Sequence, residues 1–291
     1  MNSADAPIGV FDSGVGGLTV LRALVAQLPH ERFVYLGDTA RLPYGTKSPE
    51  TVVRYALQAA EALAGYGVKC LVIACNTASA VGLAAVSEHI HDVPVIGVIE
   101  PGAEAACTAS RSGHIAVIAT EGTVRGGAYQ DAIVQRRSEA RVSAVPAQLF
   151  VALAEEGLCR GSIAESVARH YLDPLFNAKT GASRPDTLVL GCTHFPMLAD
   201  AIRAVVGPEV DIVDSAETTA RHVRQTLETQ KLTVRLPTPC VLPPEARRAP
   251  GGPREAGLRL LATDAADRFA RIGGRFLERP IRPHEVELID L

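Results

Sequence analysis

The chain has 291 residues, 47% hydrophobic and 21% charged, and a formal net charge of −3. A chain of this length buries a large core and is long enough for two domains, and its composition excludes wholesale disorder. It offers no basic stripe, so neither nucleic acid nor an anionic membrane surface is expected as a partner.

Residues 1–7 carry no basic stretch followed by an apolar core, so no secretory leader is expected. The apolar runs, roughly five to nine residues long, are too short to span a bilayer. The six cysteines form no CxxC and have no histidines at zinc-finger spacing, which favours neither a metal site nor a disulfide framework. A reduced cytoplasmic setting is the expectation, and it leaves thiols free for chemistry.

In chain order, strand-like runs fall at Ile8–Phe11, Arg32–Leu36, Lys69–Ala74 and Val93–Val98, separated by helical composition at 17–28, 49–66 and 77–90. Short apolar runs alternating with amphipathic segments are the signature of a parallel sheet covered on both faces. The rhythm then restarts, with strands predicted at His114–Thr120, Val142–Val145, Thr187–Gly191 and Val210–Val213, and helices at 124–137, 147–156, 162–177 and 196–206. Residues 237–257 are rich in Pro, Arg and Gly and read as an exposed loop. A strand at 258–263, a helix at 265–277 and an edge strand at 285–289 follow and are expected to return to the first unit. The expected fold is therefore α/β, with two pseudo-symmetric lobes of mostly parallel sheet flanked by helices and the active site in the cleft between them. The lobes are assigned to residues 1–98 plus 214–291 and to residues 99–213.

The repeat is sharpest in two segments, LVIACNT at 71–77 and LVLGCTH at 188–194. Each is a buried strand that delivers a cysteine, then two hydrogen-bonding residues, where a helix begins. Ligands of open parallel sheets bind beyond the strand C-termini. Four polar loops should meet there: Asp12-Ser13-Gly14, the stretch from Gly37-Asp38 to Pro43-Tyr44-Gly45, Cys75-Asn76-Thr77 and Cys192-Thr193-His194. Neither GxGxxG nor GxxxxGK[ST] is present, so no dinucleotide or ATP site is supported. A lone strand-end cysteine is more often a small buried hydrophobe. Here both thiols precede helix N-termini, whose partial positive charge is expected to favour thiolate, and both have polar neighbours. Asp12 beside Cys75 and His194 beside Cys192 are candidate proton-tuning partners. His194 also reads as a cap of the following helix, and Tyr44 and Thr77 as packing and N-capping residues. Cys70, Cys107, Cys159 and Cys240 lack such surroundings.

Taken together, VFDSGVGGLTV, YLGDTARLPYGTKS, VIACNTASA and VLGCTHFPML resemble glutamate racemases, over residues 8–215 with a further likeness at 258–278. The resemblance implies cofactor-independent interconversion of L- and D-glutamate, with no metal. It supplies D-glutamate for peptidoglycan, hence for cell-wall biogenesis and cell shape, and it implies a homodimer. It makes Cys75 the base for D-glutamate and Cys192 the base for L-glutamate, each assisted by Asp12 or His194. Asp12, Ser13, Tyr44, Gly45, Asn76, Thr77, Thr193 and His194 match substrate-binding positions, and Thr120 and Thr123 match a second-lobe loop facing the substrate. Glu155 is similar to a family glutamate near the site. The chain departs from the pattern at Gly126, where many relatives carry serine, and in VPAQLFVALAEEG, which lacks a cysteine often found there. Rival readings are an aspartate racemase or maleate isomerase, a non-catalytic amino-acid-binding protein, and a redox sensor.

Overall fold

The computed structural model describes residues 4–177, 184–234 and 257–291. Its elements run β1 (Ile8–Asp12), α1 (Leu18–Gln27), β2 (Phe33–Gly37), α2 (Pro49–Ala64), β3 (Cys70–Ile73), α3 (Asn76–His89), β4 (Val95–Gly97) and α4 (Ile99–Ala109). The second series is β5 (His114–Ala119), α5 (Glu121–Arg125), α6 (Ala128–Arg136), β6 (Arg141–Pro146), α7 (Leu149–Glu156), α8 (Ser162–Phe176), β7 (Thr187–Gly191), α9 (Ala199–Val206), β8 (Asp211–Asp214) and α10 (Ser215–Thr229). The chain closes with β9 (Leu258–Ala262), α11 (Ala266–Phe276) and β10 (Val286–Leu288).

Two sheets result. One has the order β10-β9-β2-β1-β3-β4 and the other β6-β5-β7-β8, and every strand pairing described is parallel. The inner order of the first, β2-β1-β3-β4, is repeated in the second, so the duplication read from the two cysteine motifs extends to the whole strand order. β9 and β10 extend the first sheet at its β2 edge. The central strands β1, β3, β5 and β7 are buried along their whole length, as their near-continuous apolar sequences require. One apolar cluster runs through both sheets, joining Val10 and Val72 to Ile118 and Leu190.

Two helices escaped the periodicity: α4 and α10, which carry the chain from one sheet to the other and back. α10 packs on α1 and α4. The helix expected at 124–137 is two, because Gly127 takes φ 71° and starts α6 from a left-handed turn that favours glycine. The helix expected at 196–206 opens as a 3-10 turn over Phe195–Leu198 before α9. Ser48 caps α2 by accepting from Thr51 N–H at 3.4 Å, with Pro49 in the first turn. The Pro/Gly/Arg-rich stretch 237–257, apart from Gly257, lies outside the described residues, and so does Cys240. No helix among the described residues is long and apolar enough to cross a membrane.

Candidate active site

Parallel strands that share an order deliver their C-terminal ends to one side, and here the two sheets turn those ends toward each other. A small cavity of about 30 Å³ is bounded by both thiols, Cys75 and Cys192, together with Ser13, Tyr44, Gly45, Asn76, Thr77, Thr120, Thr193 and His194. Larger hollows, such as the one between α4 and α10, contain neither thiol. Pro43, Gln148 and Val151 also line the thiol cavity. Sequence reasoning passed over the last two because they sit in an apolar run with no motif.

Cys75 is itself the N-cap of α3, its sulfur accepting from Ala78 N–H at 3.5 Å, and its thiol lies 3.7 Å from Ser13 Oγ as donor. The helix terminus does not decide this thiol's pKa. Burial, reinforced by the Asp12 charge, pushes it up to about 12 against the smaller pull of the Ala78 N–H and Ser13. The expectation of a helix-stabilised thiolate at Cys75 is thereby corrected: desolvation of a residue only 6% exposed outweighs one weak N–H contact.

Cys192 differs. The turn after it is 3-10, with His194 in the capping position but no capping hydrogen bond from its side chain. The imidazole instead spans the site: Nδ1 lies 3.8 Å from Cys192 Sγ and 3.4 Å from Thr193 Oγ1, and Nε2 lies 3.2 Å from Glu155 Oε1. Burial alone pulls an imidazolium down. The contacts with Cys192 and Glu155, and the charges of Cys192 and Asp12, outweigh it and raise His194 to about 10. Glu155, on α7, is held below its ordinary value chiefly by its hydrogen bond to His194. The glutamate likeness noted in the sequence therefore has a physical partner.

Asp12 ends β1 one layer behind the cavity. Its Oδ2 accepts from Gly14 N–H at 3.0 Å, and its Oδ1 is buried without a hydrogen-bond partner. Burial raises its pKa, opposed by the His194 charge and nearby backbone N–H groups. Thr123 also stands behind the wall, in a cluster with Thr77 and Thr120 whose hydroxyl oxygens lie 3.0 to 3.3 Å apart. Tyr44 donates its hydroxyl to the buried Asp38 carboxylate, which Arg41 and Thr263 also hold. Thr77 is the second residue of α3, not its cap.

Asn76 shows how the halves cooperate. Its Oδ1 accepts from Tyr129 OH of α6 at 2.8 Å, which leaves its buried Nδ2 without a partner beside the cavity. Tyr129 carries no sequence signal for this role. The halves also meet at glycines: a Cβ on Gly16 would lie 2.5 Å from His194 Nδ1, and one on Gly45 would lie 2.8 Å from Thr120 Cβ. Thr19 Oγ1 donates across the same seam to Thr193 O at 3.0 Å. Cys70, Cys107 and Cys159 are free thiols outside this cavity.

Fold and site define an α/β protein of duplicated design, with a buried thiol from each half facing one cavity. The Asp/Glu/Hydantoin racemase family matches residues 8–223, and the chain belongs to that family. It is 46% identical over 93% of its length to a glutamate racemase of Geobacter metallireducens, 92% of which is covered. It is also similar to the crystal structure of a Francisella tularensis glutamate racemase in complex with D-glutamate. The TM-score is 0.84 at 33% identity, over 99% of this chain and 98% of that one. A Picrophilus torridus aspartate racemase, 17% identical with a TM-score of 0.53, shares the fold.

Proposed function

We propose that this protein is a glutamate racemase that interconverts L- and D-glutamate through two cysteines and no cofactor. The observation that carries the reading is the pair of thiols, one from each duplicated half, bounding a single cavity. In one direction the Cys192 thiolate takes the α-proton of L-glutamate. The electron pair passes into the α-carboxylate, and the Cys75 thiol returns a proton to the opposite face, giving D-glutamate. The reverse reaction exchanges the roles. Electrons and protons balance, with one proton moved from Cys75 to Cys192 overall.

An α-proton next to a carboxylate is a very weak acid, so the developing charge needs fixed donors in a site that excludes water. The unpartnered Asn76 Nδ2 and the hydroxyls of Ser13, Thr77, Thr120 and Thr193 are placed to supply them, with Thr123 ordering the threonine cluster. Tyr44 and Gly45 wall the site, Tyr44 with its hydroxyl donor already committed to Asp38. Asp12 provides negative charge for the substrate ammonium and assists Cys75, while His194 shuttles charge at Cys192. A cavity of about 30 Å³ holds only a water or two, so substrate admission requires the halves to part. The moving bodies are residues 1–98 plus 214–291 and residues 99–213. A cytoplasmic homodimer that supplies D-glutamate to peptidoglycan completes the reading.

The test is incubation of the pure protein with L-glutamate, D-glutamate or L-aspartate in heavy water, without added cofactor. Both glutamates should racemise with deuterium at the α-carbon, and aspartate should not. Cys75→Ser and Cys192→Ser should each lower racemisation by at least ~10³-fold. Racemisation by the double variant, or a requirement for pyridoxal phosphate or metal, overturns the mechanism.

A further inference from the structure

The Cys192 side of the site is held from outside its own half. Glu155 uses both carboxylate oxygens: Oε1 faces His194 Nε2 at 3.2 Å and Oε2 accepts from Arg268 Nη2 at 2.8 Å. Its backbone carbonyl accepts from Arg275 Nη2 at 2.6 Å. Phe276 meets the His194 ring edge-on, with centroids 5.2 Å apart and planes at 77°. Arg268, Arg275 and Phe276 all lie on α11, which connects the strands β9 and β10 of the first sheet, whereas Glu155 and His194 belong to the second series of elements. The C-terminal helix thus reaches across to the second thiol's proton partner. The contacts recorded for Cys75, with Ser13 and Ala78 N–H, include nothing comparable.

An exposed ion pair alone contributes little, and the Arg268 side chain is 42% exposed. The carboxylate it holds is only 15% exposed and sits on a buried imidazole. For a histidine that works through one ring nitrogen, the partner on the other nitrogen sets ring orientation and tautomer. A carboxylate pinned on both oxygens can do that, while one pinned on a single oxygen can rotate away.

We propose that Arg268 is a positioning residue for the Cys192 face of the reaction: it holds Glu155, which holds His194 against the Cys192 sulfur. The proposal rests on the two-thiol racemase reading. It predicts a defect confined to one of the two proton transfers.

The test compares wild type, Arg268→Gln and Arg268→Lys, using each enantiomer of glutamate with hydrogen or deuterium at the α-carbon. The enantiomers have equal free energy, so kcat/KM must be the same in both directions, and the direction of the defect shows only in isotope effects. Arg268→Gln should lose kcat/KM on the order of 10-fold. Its isotope effect on kcat/KM should rise with L-glutamate, where Cys192 abstracts the label, and fall toward unity with D-glutamate. Arg268→Lys should recover most of the rate and the wild-type isotope effects. Isotope effects that change alike in both directions, or an Arg268→Gln rate equal to wild type, overturn the proposal and leave the racemase reading intact. A wild-type protein that racemises neither glutamate overturns both.

Discussion

The Cys75 half and the Cys192 half share strand order and a cysteine just past matching strands, yet one cysteine caps an α-helix beside a carboxylate and the other precedes a 3-10 turn beside an imidazole. Charge on Cys75 faces the Asp12 carboxylate and finds only a hydroxyl and one backbone N–H for relief. Charge on Cys192 faces an imidazole held protonated at neutral pH, itself backed by Glu155 and Arg268. A duplicated backbone delivers two equivalent positions, and the side chains around them give each sulfur a different charged neighbour. In the proposed mechanism, a Cys75 thiol opposite a Cys192 flanked by the His194 imidazolium is the arrangement that L-glutamate requires. A two-base racemase needs this inequality, because two thiols in the same protonation state cannot pass a proton in one direction.

The largest effect that would break this contrast comes from removing each sulfur's charged neighbour. His194→Asn and Asp12→Asn should each lower kcat by ~10²-fold, the scale of a lost acid–base partner. The isotope effect on kcat/KM should rise with L-glutamate for the first variant and with D-glutamate for the second. A shift in the same direction for both would show that the halves do not act separately.

Smaller is the effect of forcing the halves apart. Gly16→Ala places a methyl against Thr193 Oγ1 and within 2.5 Å of His194 Nδ1, across the seam. The expected cost is ~1–3 kcal/mol, read as a lowered Tm. Gly82→Ala, whose methyl meets only Ala56 Cβ at 3.2 Å, is the control. If both variants melt alike, the seam is not tight.

The smallest effect sharpens the contrast through pH. His194 has a folded value of about 10 against an ordinary 6.5, so its contribution to stability is fully present below pH 6.5 and is lost as pH rises through about 10. Between pH 7 and 8, where only a minor fraction of the unfolded chain's cysteines is ionised, Tm should fall by a few degrees. His194→Asn should flatten that part of the curve. An unchanged slope in the variant would place the titration elsewhere.

How far the sequence could be read follows from what each signal depends on. The central strands were legible because burial on both faces leaves them almost purely apolar. The duplication was legible because each cysteine keeps its strand and its polar successors. α4 and α10 were not read, since their amphipathic patterns carry no boundary as clear as a buried strand. The break at Gly127 was missed because a glycine pair inside a helical composition marks a turn only when the backbone takes positive φ. Gln148, Val151, Tyr129 and Arg268 were invisible at the site because each arrives from a distant element with no local motif.

The order of apolar runs and the two cysteine motifs, which are local properties of the chain, determined the α/β class, the repeat and the identity of the two thiols. Tertiary structure alone decided the charged surroundings of those thiols, and with them the raised pKa of Cys75. Ionisation depends on desolvation and on charges brought near by folding, and Asp12, Glu155 and Arg268 come close to their partners from sequence positions far away.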